Sequence, residues 1–195
     1  MLDEMNECHA PVALWALTNI KFNEDDTTLD IGCGGGINIC RIHKKSPKAK
    51  SYGVDYSSTS VKKSKLFNKK LVDSGCVEVY EANVLDMPLD DEKFDVITAF
   101  ETVYFWPNLV DAFKEVKRIL KYDGKFLIEM GLNGDDGTNV TVEEDPKIEG
   151  FSPYDDKQLK DLLQQAGFST ITVYIHKANH KKLINDSIYT RFFQV

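Results

Sequence analysis

Four of the five positions from 32 to 36 are glycine, in the stretch "LDIGCGGG" (29–36), directly after a short apolar run. Glycine weakens regular structure by roughly 0.5–1 kcal/mol per residue relative to alanine, so such a cluster marks a place that needs bare backbone. A buried strand that turns at once into a helix leaves the first helical N–H groups without intrahelical partners. They lie at the carboxyl end of the strand, where open α/β sheets bind ligands. Gly32, Gly34 and Gly36 keep a G-x-G-x-G spacing, whereas the dinucleotide fingerprint needs glycine at position 37, where Ile37 stands. A phosphate-cradling G-x-x-x-x-G-K-[ST] loop is absent, since no lysine follows the glycines. Asp30, just before the turn, would repel a pyrophosphate but suits a ligand carrying an ammonium or sulfonium group.

From Thr27 onward strand-like runs alternate with helix-like runs, the pattern of a parallel sheet covered by helices on both faces. Five central strands are predicted at "TTLDIG" (27–32), "KSYGVD" (50–55), "VEVYEANV" (77–84), "FDVITAF" (94–100) and "KFLIEM" (125–130). A helix is predicted from Asn108 to Lys121, where Leu109, Phe113, Val116 and Leu120 share one face, with "YDG" at its end. A second runs through "SPYDDKQLKDLLQQAG" (152–167), with Ser152 as N-cap, Pro153 in the first turn and Gly167 as stop. The runs 168–176 and 186–195 would close the sheet as an antiparallel edge pair. The expectation is one α/β domain over 1–195: a Rossmann-like, doubly wound, seven-stranded sheet, mostly parallel with an antiparallel C-terminal hairpin. Within it, 1–26 would be a helical extension, 27–131 the cofactor-binding half and 132–195 the C-terminal half. The stretch "APVALWALTNI" in the extension would either pack on the sheet or stand over the mouth of a site.

Composition and charge narrow the function classes. The formal net charge of −7 argues against a nucleic-acid coat, although residues 41–72 hold Arg41 and nine lysines against the single acid Asp55. A solvated helix face accounts for that basic segment, with an anion-attracting patch as the sharper alternative. The acidic start "MLDEMNECHA" has no export-signal pattern, and no run approaches the about 18 apolar residues that would span a bilayer. Cys8, Cys33, Cys40 and Cys76 have no C-x-x-C spacing, which suits reduced thiols in a cytoplasmic protein better than a disulfide frame or a zinc site. His176 and His180, four apart, lack a third ligand, and no metal is expected.

Asp55, at the end of the second strand, is placed to accept from two ribose hydroxyls, a role common to nicotinamide and adenosyl binders. Asn83 could bond an adenine edge, with Val84, Leu85 and Met87 against its faces. Taken together and in this order, "LDIGCGGG", "GVDYS", "ANVLDMPL", "FDVITAFETVYFWPN" and "EVKRILKYDGKFLIEM" resemble the class I S-adenosylmethionine-dependent methyltransferases, over about residues 27–175. The segments "MNECHAP" and "ETVYFWPN" are similar to those of small bacterial members.

The resemblance implies S-adenosyl-L-methionine as cofactor. Asp30, Gly32 and Gly34 would hold its methionine end, with Cys33 beside them, and Gly36 would let the helix approach the strand. Asp55 would bind the ribose diol, Tyr56 would lie beside the adenine, and Asn83 with the Val84 backbone would recognise the base. Phe100 and Glu101 would close the methionine side. Asn83 stands where many relatives carry aspartate; its amide oxygen can still pair with the exocyclic amine.

Methyl transfer from a sulfonium is an in-line displacement in which charge disappears, so alignment in a dry pocket matters more than a protein nucleophile. Where the acceptor must lose a proton, Glu101, Tyr104 and His9 are the candidate bases, and Tyr104 and Trp106 would line the acceptor cavity. The acidic loop 133–146 would lie near the substrate mouth. A small-molecule acceptor is expected ahead of nucleic acid, with no membrane partner. Two other readings stand beside this one: a nicotinamide-dependent oxidoreductase, disfavoured by Ile37 and Asp30, and a non-catalytic adenosyl-binding protein.

Overall fold

The computed structural model describes residues 10–130, 154–179 and 187–194. Strands Thr28–Ile31 (β1), Ser51–Asp55 (β2), Val77–Glu81 (β3), Phe94–Phe100 (β4), Leu120–Met130 (β5), Thr172–Asn179 (β6) and Ser187–Gln194 (β7) form one sheet, in the order β3-β2-β1-β4-β5-β7-β6. β1 to β5 pair in parallel, and β7 runs antiparallel between β5 and β6. Strand order reverses between β1 and β4, which opens a crevice at their carboxyl ends.

Helices Ala10–Thr18 (α1), Ile37–His43 (α2), Ser58–Phe67 (α3), Lys69–Asp73 (α4), Leu109–Ile119 (α5) and Asp156–Gln165 (α6) accompany the sheet, with a 3-10 turn at Val103–Phe105. Period-two alternation along each strand sorts side chains to two faces. Leu29, Ile31, Ile97, Ala99, Phe126 and Ile128 face the α5 and α6 side, packing with Phe113, Val116, Leu159 and Leu163. Val96, Phe100 and Leu127 face the other side, under Ala13, Ala16, Leu17 and Ile20 of the α1 region and Ile42 of α2. The N-terminal helix thus packs on the sheet, and Ala13 also reaches the cavity described below.

Several predicted boundaries move, each for a local reason. α5 ends at Ile119 because Leu120 turns extended (φ −79°, ψ 134°) and enters β5, so "YDG" lies inside a strand. Phe94 pairs with Leu120 but Val96 with Lys125, a register shift that takes up the extra residues as a bulge. β3 stops at Glu81, since Asn83 Oδ1 accepts from Leu85 N–H at 3.0 Å and turns the chain. α6 opens with Asp155 as N-cap, in a reciprocal capping box with Gln158, rather than at Ser152; Ser152 and Pro153 lie outside the described residues. The closing strands begin later than predicted, at Thr172 and Ser187.

Candidate functional site

A cavity of about 670 Å³ occupies the crevice between β1 and β4, within the usual range for small-molecule sites. The glycine turn forms one wall. Gly32, Gly34 and Gly36 all have positive φ (73°, 52° and 84°). Their surroundings differ: a Cβ on Gly32 would lie 2.7 Å from Thr102 Cβ, and one on Gly36 would lie 2.9 Å from Ser64 Cα, whereas one on Gly34 would meet nothing within 4 Å. Gly34 is therefore bare towards the cavity, and Gly32 admits the loop after β4. Gly36, absent from the lining, admits α3 rather than bringing its own helix onto a strand. Asn68 completes that junction by donating to the Gly36 carbonyl at 2.9 Å. Cys33 lines the wall; burial pushes its thiol well above the usual range, which leaves it a packing group.

Asp55 lies opposite the turn. Its Oδ2 accepts from Gly34 N–H and its Oδ1 from Ser57 N–H, both at 2.8 Å. Two backbone donors fix the carboxylate, and each oxygen keeps further acceptor capacity. Tyr56 stands at the rim, 79% exposed, while Asn83 and Val84 close this end. Asn83 lines the cavity with one Oδ1 lone pair already committed to the Leu85 turn.

Asp30 does not line the cavity. Alternation along β1 directs it to the α1 and α2 side, where it is buried and its Oδ1 accepts from the Thr98 hydroxyl at 2.7 Å. Burial pushes its carboxyl up to about 7, against the lowering effect of that hydrogen bond. Its charge stands behind the turn instead of touching a ligand.

The tip of β4 forms the third wall, with Phe100, Glu101, Thr102, Phe105 and Trp106 in the lining. Glu101 adopts φ 52°, a costly conformation for a non-glycine residue, and its N–H donates to the Glu129 carbonyl at 3.0 Å. Trp106 Nε1 donates to Thr102 Oγ1 at 3.3 Å, tying the aromatic wall to the residue that packs on Gly32. Tyr104 departs from expectation. Packing of the 3-10 turn buries it in the core at 3% exposure, outside the lining, and its half-exposed neighbour Phe105 takes the cavity position.

Among the lining residues that escaped the sequence reading, two carry ionisable side chains. Glu129, in the otherwise apolar end of β5, is 1% exposed, and its Oε1 has no hydrogen-bond partner. Burial, and then the neighbouring Glu101, push its carboxyl well above the usual carboxylate range. The one signal was an acid inside "FLIEM". Arg41, from α2, is the only lysine or arginine among the described lining residues; its Nη1 donates to Asn38 Oδ1 at 2.8 Å. All nine lysines of the basic segment are instead exposed, with Lys48, Lys50 and Lys69 paired to Glu24, Glu78 and Asp73.

His9, Cys8, His180 and the acidic loop 133–146 lie outside the described residues. Among the described residues Cys33, Cys40 and Cys76 are free thiols, no cluster of His, Cys, Asp and Glu could hold a metal, and no helix is long and apolar enough to cross a membrane.

The sequence pattern of the family described as "Methyltransferase domain" matches residues 29–128, just over half of the chain. YrhH, a methyltransferase-family protein of Bacillus subtilis (strain 168), is 31% identical over 117 residues, 60% of this chain and 64% of its own length. A 2-phytyl-1,4-naphtoquinone methyltransferase of Trichormus variabilis is 30% identical over 119 residues, 59% of this chain and 52% of its own length. The matched region is thus less than two thirds of either relative. Among solved structures, the methyltransferase-family chain in a complex with the Haloferax volcanii Trm112 activator superposes with a TM-score of 0.83 at 18% identity, over 100% of this chain and 92% of that one. Geranyl diphosphate C-methyltransferase from Streptomyces coelicolor A3(2), solved with S-adenosyl-L-homocysteine, gives 0.76 at 17% identity, over 98% and 81%.

Proposed function

The chain belongs to the methyltransferase domain family, the class I S-adenosylmethionine-dependent enzymes, and we propose that it transfers the methyl group in line to a small-molecule acceptor seated against Phe105 and Trp106. One observation carries the cofactor placement: Gly34 is bare towards the cavity, and its N–H holds a carboxylate, Asp55, whose remaining lone pairs fit a vicinal diol. In this reading Asp55 binds the ribose and Tyr56 covers the adenine at the rim. The second lone pair of Asn83 Oδ1 and the Val84 N–H address the base edge. Gly32, Cys33 and Gly34 flank the methionine end with Phe100 and Glu101, and Arg41 supplies a cation for its carboxylate. Asp30 and Gly36 act from behind, the first as buried charge and the second as the point where α3 locks the turn.

When bound, the cofactor supplies a methyl group on a sulfonium, already activated for displacement. The protein's share is alignment and exclusion of water, and alignment alone can contribute roughly 7–11 kcal/mol. In this reading Phe100, Phe105 and Trp106 offer apolar surface to the acceptor, and Glu101 takes a proton from an acceptor that must lose one. The names of the relatives, a phytyl naphthoquinone enzyme and a 24-methylenesterol C-methyltransferase of Arabidopsis thaliana, support a small-molecule acceptor. Ile37 lines the cavity where a dinucleotide site would carry glycine, which disfavours a nicotinamide cofactor.

Calorimetric titration tests the placement. Wild-type protein is expected to bind S-adenosylhomocysteine and to give no heat with NAD, and Asp55→Ala to lose at least about tenfold in affinity, as for a charge-assisted hydrogen-bonded pair. Binding of NAD in place of the adenosyl compound would overturn it.

A further inference from the structure

Glu115 and Arg118 stand three residues apart on α5, and no residue of α5 is among the described lining of the cavity. Both reach instead for residues 82–93, which join β3 to β4 outside any helix or strand. Arg118 Nη2 donates to the Met87 carbonyl at 3.2 Å, and its Nη1 donates to the Leu89 carbonyl at 2.9 Å and to Asp91 Oδ1 at 2.5 Å. Glu115 accepts from Nε and Nη2 of the same guanidinium, both at 2.7 Å, and its Oε1 also accepts from the Met87 N–H at 2.9 Å. Both main-chain groups of Met87 are therefore bonded to α5. With side chains 33% and 13% exposed, this is a part-buried bidentate pair that also binds main chain, unlike a solvated surface ion pair.

Met87 follows directly on the turn that opens at Asn83. Inside the turn, the Asp86 N–H donates to the Asn83 carbonyl and the Leu85 N–H to Asn83 Oδ1, each at 3.0 Å. Those bonds close the turn on itself without fixing it to the sheet. Its main chain is anchored before Asn83, where the Ala82 N–H donates to the Asp55 carbonyl at 3.1 Å, and after Asp86, at Met87 on α5.

We propose that Arg118 and Glu115 are positioning residues that set the nucleobase specificity of the cavity, by holding, through Met87, the turn that presents Asn83 to the base edge. The inference rests on the reading of Asn83 Oδ1 as acceptor for the exocyclic amine of adenine. Because Oδ1 also accepts from Leu85, the side chain cannot re-aim without the turn, so the turn's position is the position of the contact. Hypoxanthine presents a carbonyl where adenine has the amine and would set oxygen against oxygen there. That mismatch is costly only where the turn cannot retreat; a slack turn gives way and loses the preference.

Calorimetric titration with S-adenosylhomocysteine and with S-inosylhomocysteine tests the role on four proteins. These are wild type, Arg118→Met, which keeps the aliphatic stem, Arg118→Lys, which can reach one carbonyl, and Lys114→Met, a control that breaks the exposed α5 ion pair with Asp111. The ratio of the two affinities is the quantity read, since a partly unfolded variant loses both ligands equally and keeps its ratio. Wild type is expected to prefer the adenosyl compound by at least about tenfold. Arg118→Met is expected to cut that preference at least about fivefold, with Arg118→Lys between the two and Lys114→Met unchanged. A preference that survives in both Arg118 variants overturns the positioning role and leaves the packing of Val84, Met87 and Leu89 to hold the turn. Equal affinities in the wild type, or no heat with either compound, would remove the base-edge reading of Asn83 and the specificity role with it. Hydrogen exchange on ligand-free protein tells the two failures apart. Faster exchange of the Leu85 amide in Arg118→Met than in Lys114→Met shows that the α5 pair orders the turn, so that the ligand reading alone has failed; equal exchange removes the pair's hold on the turn.

Discussion

Asp30 stores a pH dependence in a single side chain. Its carboxyl is pushed up to about 7 in the fold from 3.8, chiefly by burial. Between those values the folded state therefore binds more protons than the unfolded chain, so stability falls as pH rises from about 4 to about 7 and levels off above. Asparagine at this position keeps an oxygen for the Thr98 hydroxyl but cannot ionise. Ligand-free Asp30→Asn is expected to melt several degrees above wild type at about pH 8 and to match it at about pH 4. A melting difference that does not change across that range would show that Asp30 stays ionised. The sequence marked Asp30, Gly32, Gly34 and Gly36 as one cluster and could not tell their duties apart. Which of them faces a ligand depends on strand phase and on the loops that return to the turn. Thr102 comes back seventy residues later and Ser64 twenty-eight residues later.

Elements were legible where a periodic pattern and a cap coincide, and misplaced where a neighbour overrides local preference. The apolar stripe of α5 fixed that helix to within a residue or two, but its end depended on Leu120 finding Phe94 across the sheet. α6 shows competition between caps: Ser152-Pro153 and Asp155 with Gln158 both fit rules for a helix start, and the reciprocal pair prevails because it satisfies two backbone donors at once. Asp155→Ala removes the side-chain acceptor of the Gln158 N–H, found at 2.7 Å. The expected loss is about 1 kcal/mol in urea unfolding, with an unchanged slope and unchanged S-adenosylhomocysteine affinity, because α6 packs on the sheet face opposite α1 and takes no part in the cavity lining. A loss below a few tenths would mean that the cap does not hold the helix start.

At the scale of the whole molecule, the alternation of strands and helices made the parallel sheet readable, and a parallel sheet with its order reversing at β1 gathers five strand ends into one cavity. That geometry explains why Asp55, Asn83 and Glu101 could be expected at the cavity: each stands at or just beyond a strand's carboxyl end. Glu129 and Arg41 could not, since one looks like a misplaced acid in a core strand and the other like one more charge in a basic run. The same geometry makes ligand binding a property of the entire sheet. A molecule touching the ends of β1, β2, β4 and β5 and the turn after β3 binds only while all five are in register, so it stabilises the fold globally. At a concentration of about 100 times its dissociation constant, S-adenosylhomocysteine is expected to add about 2.7 kcal/mol. For a chain of this size that corresponds to a rise in melting temperature of roughly 5–11 °C, in one transition. Scanning calorimetry with and without the compound checks this, and a second, unshifted transition would show that part of the sheet unfolds independently of the site.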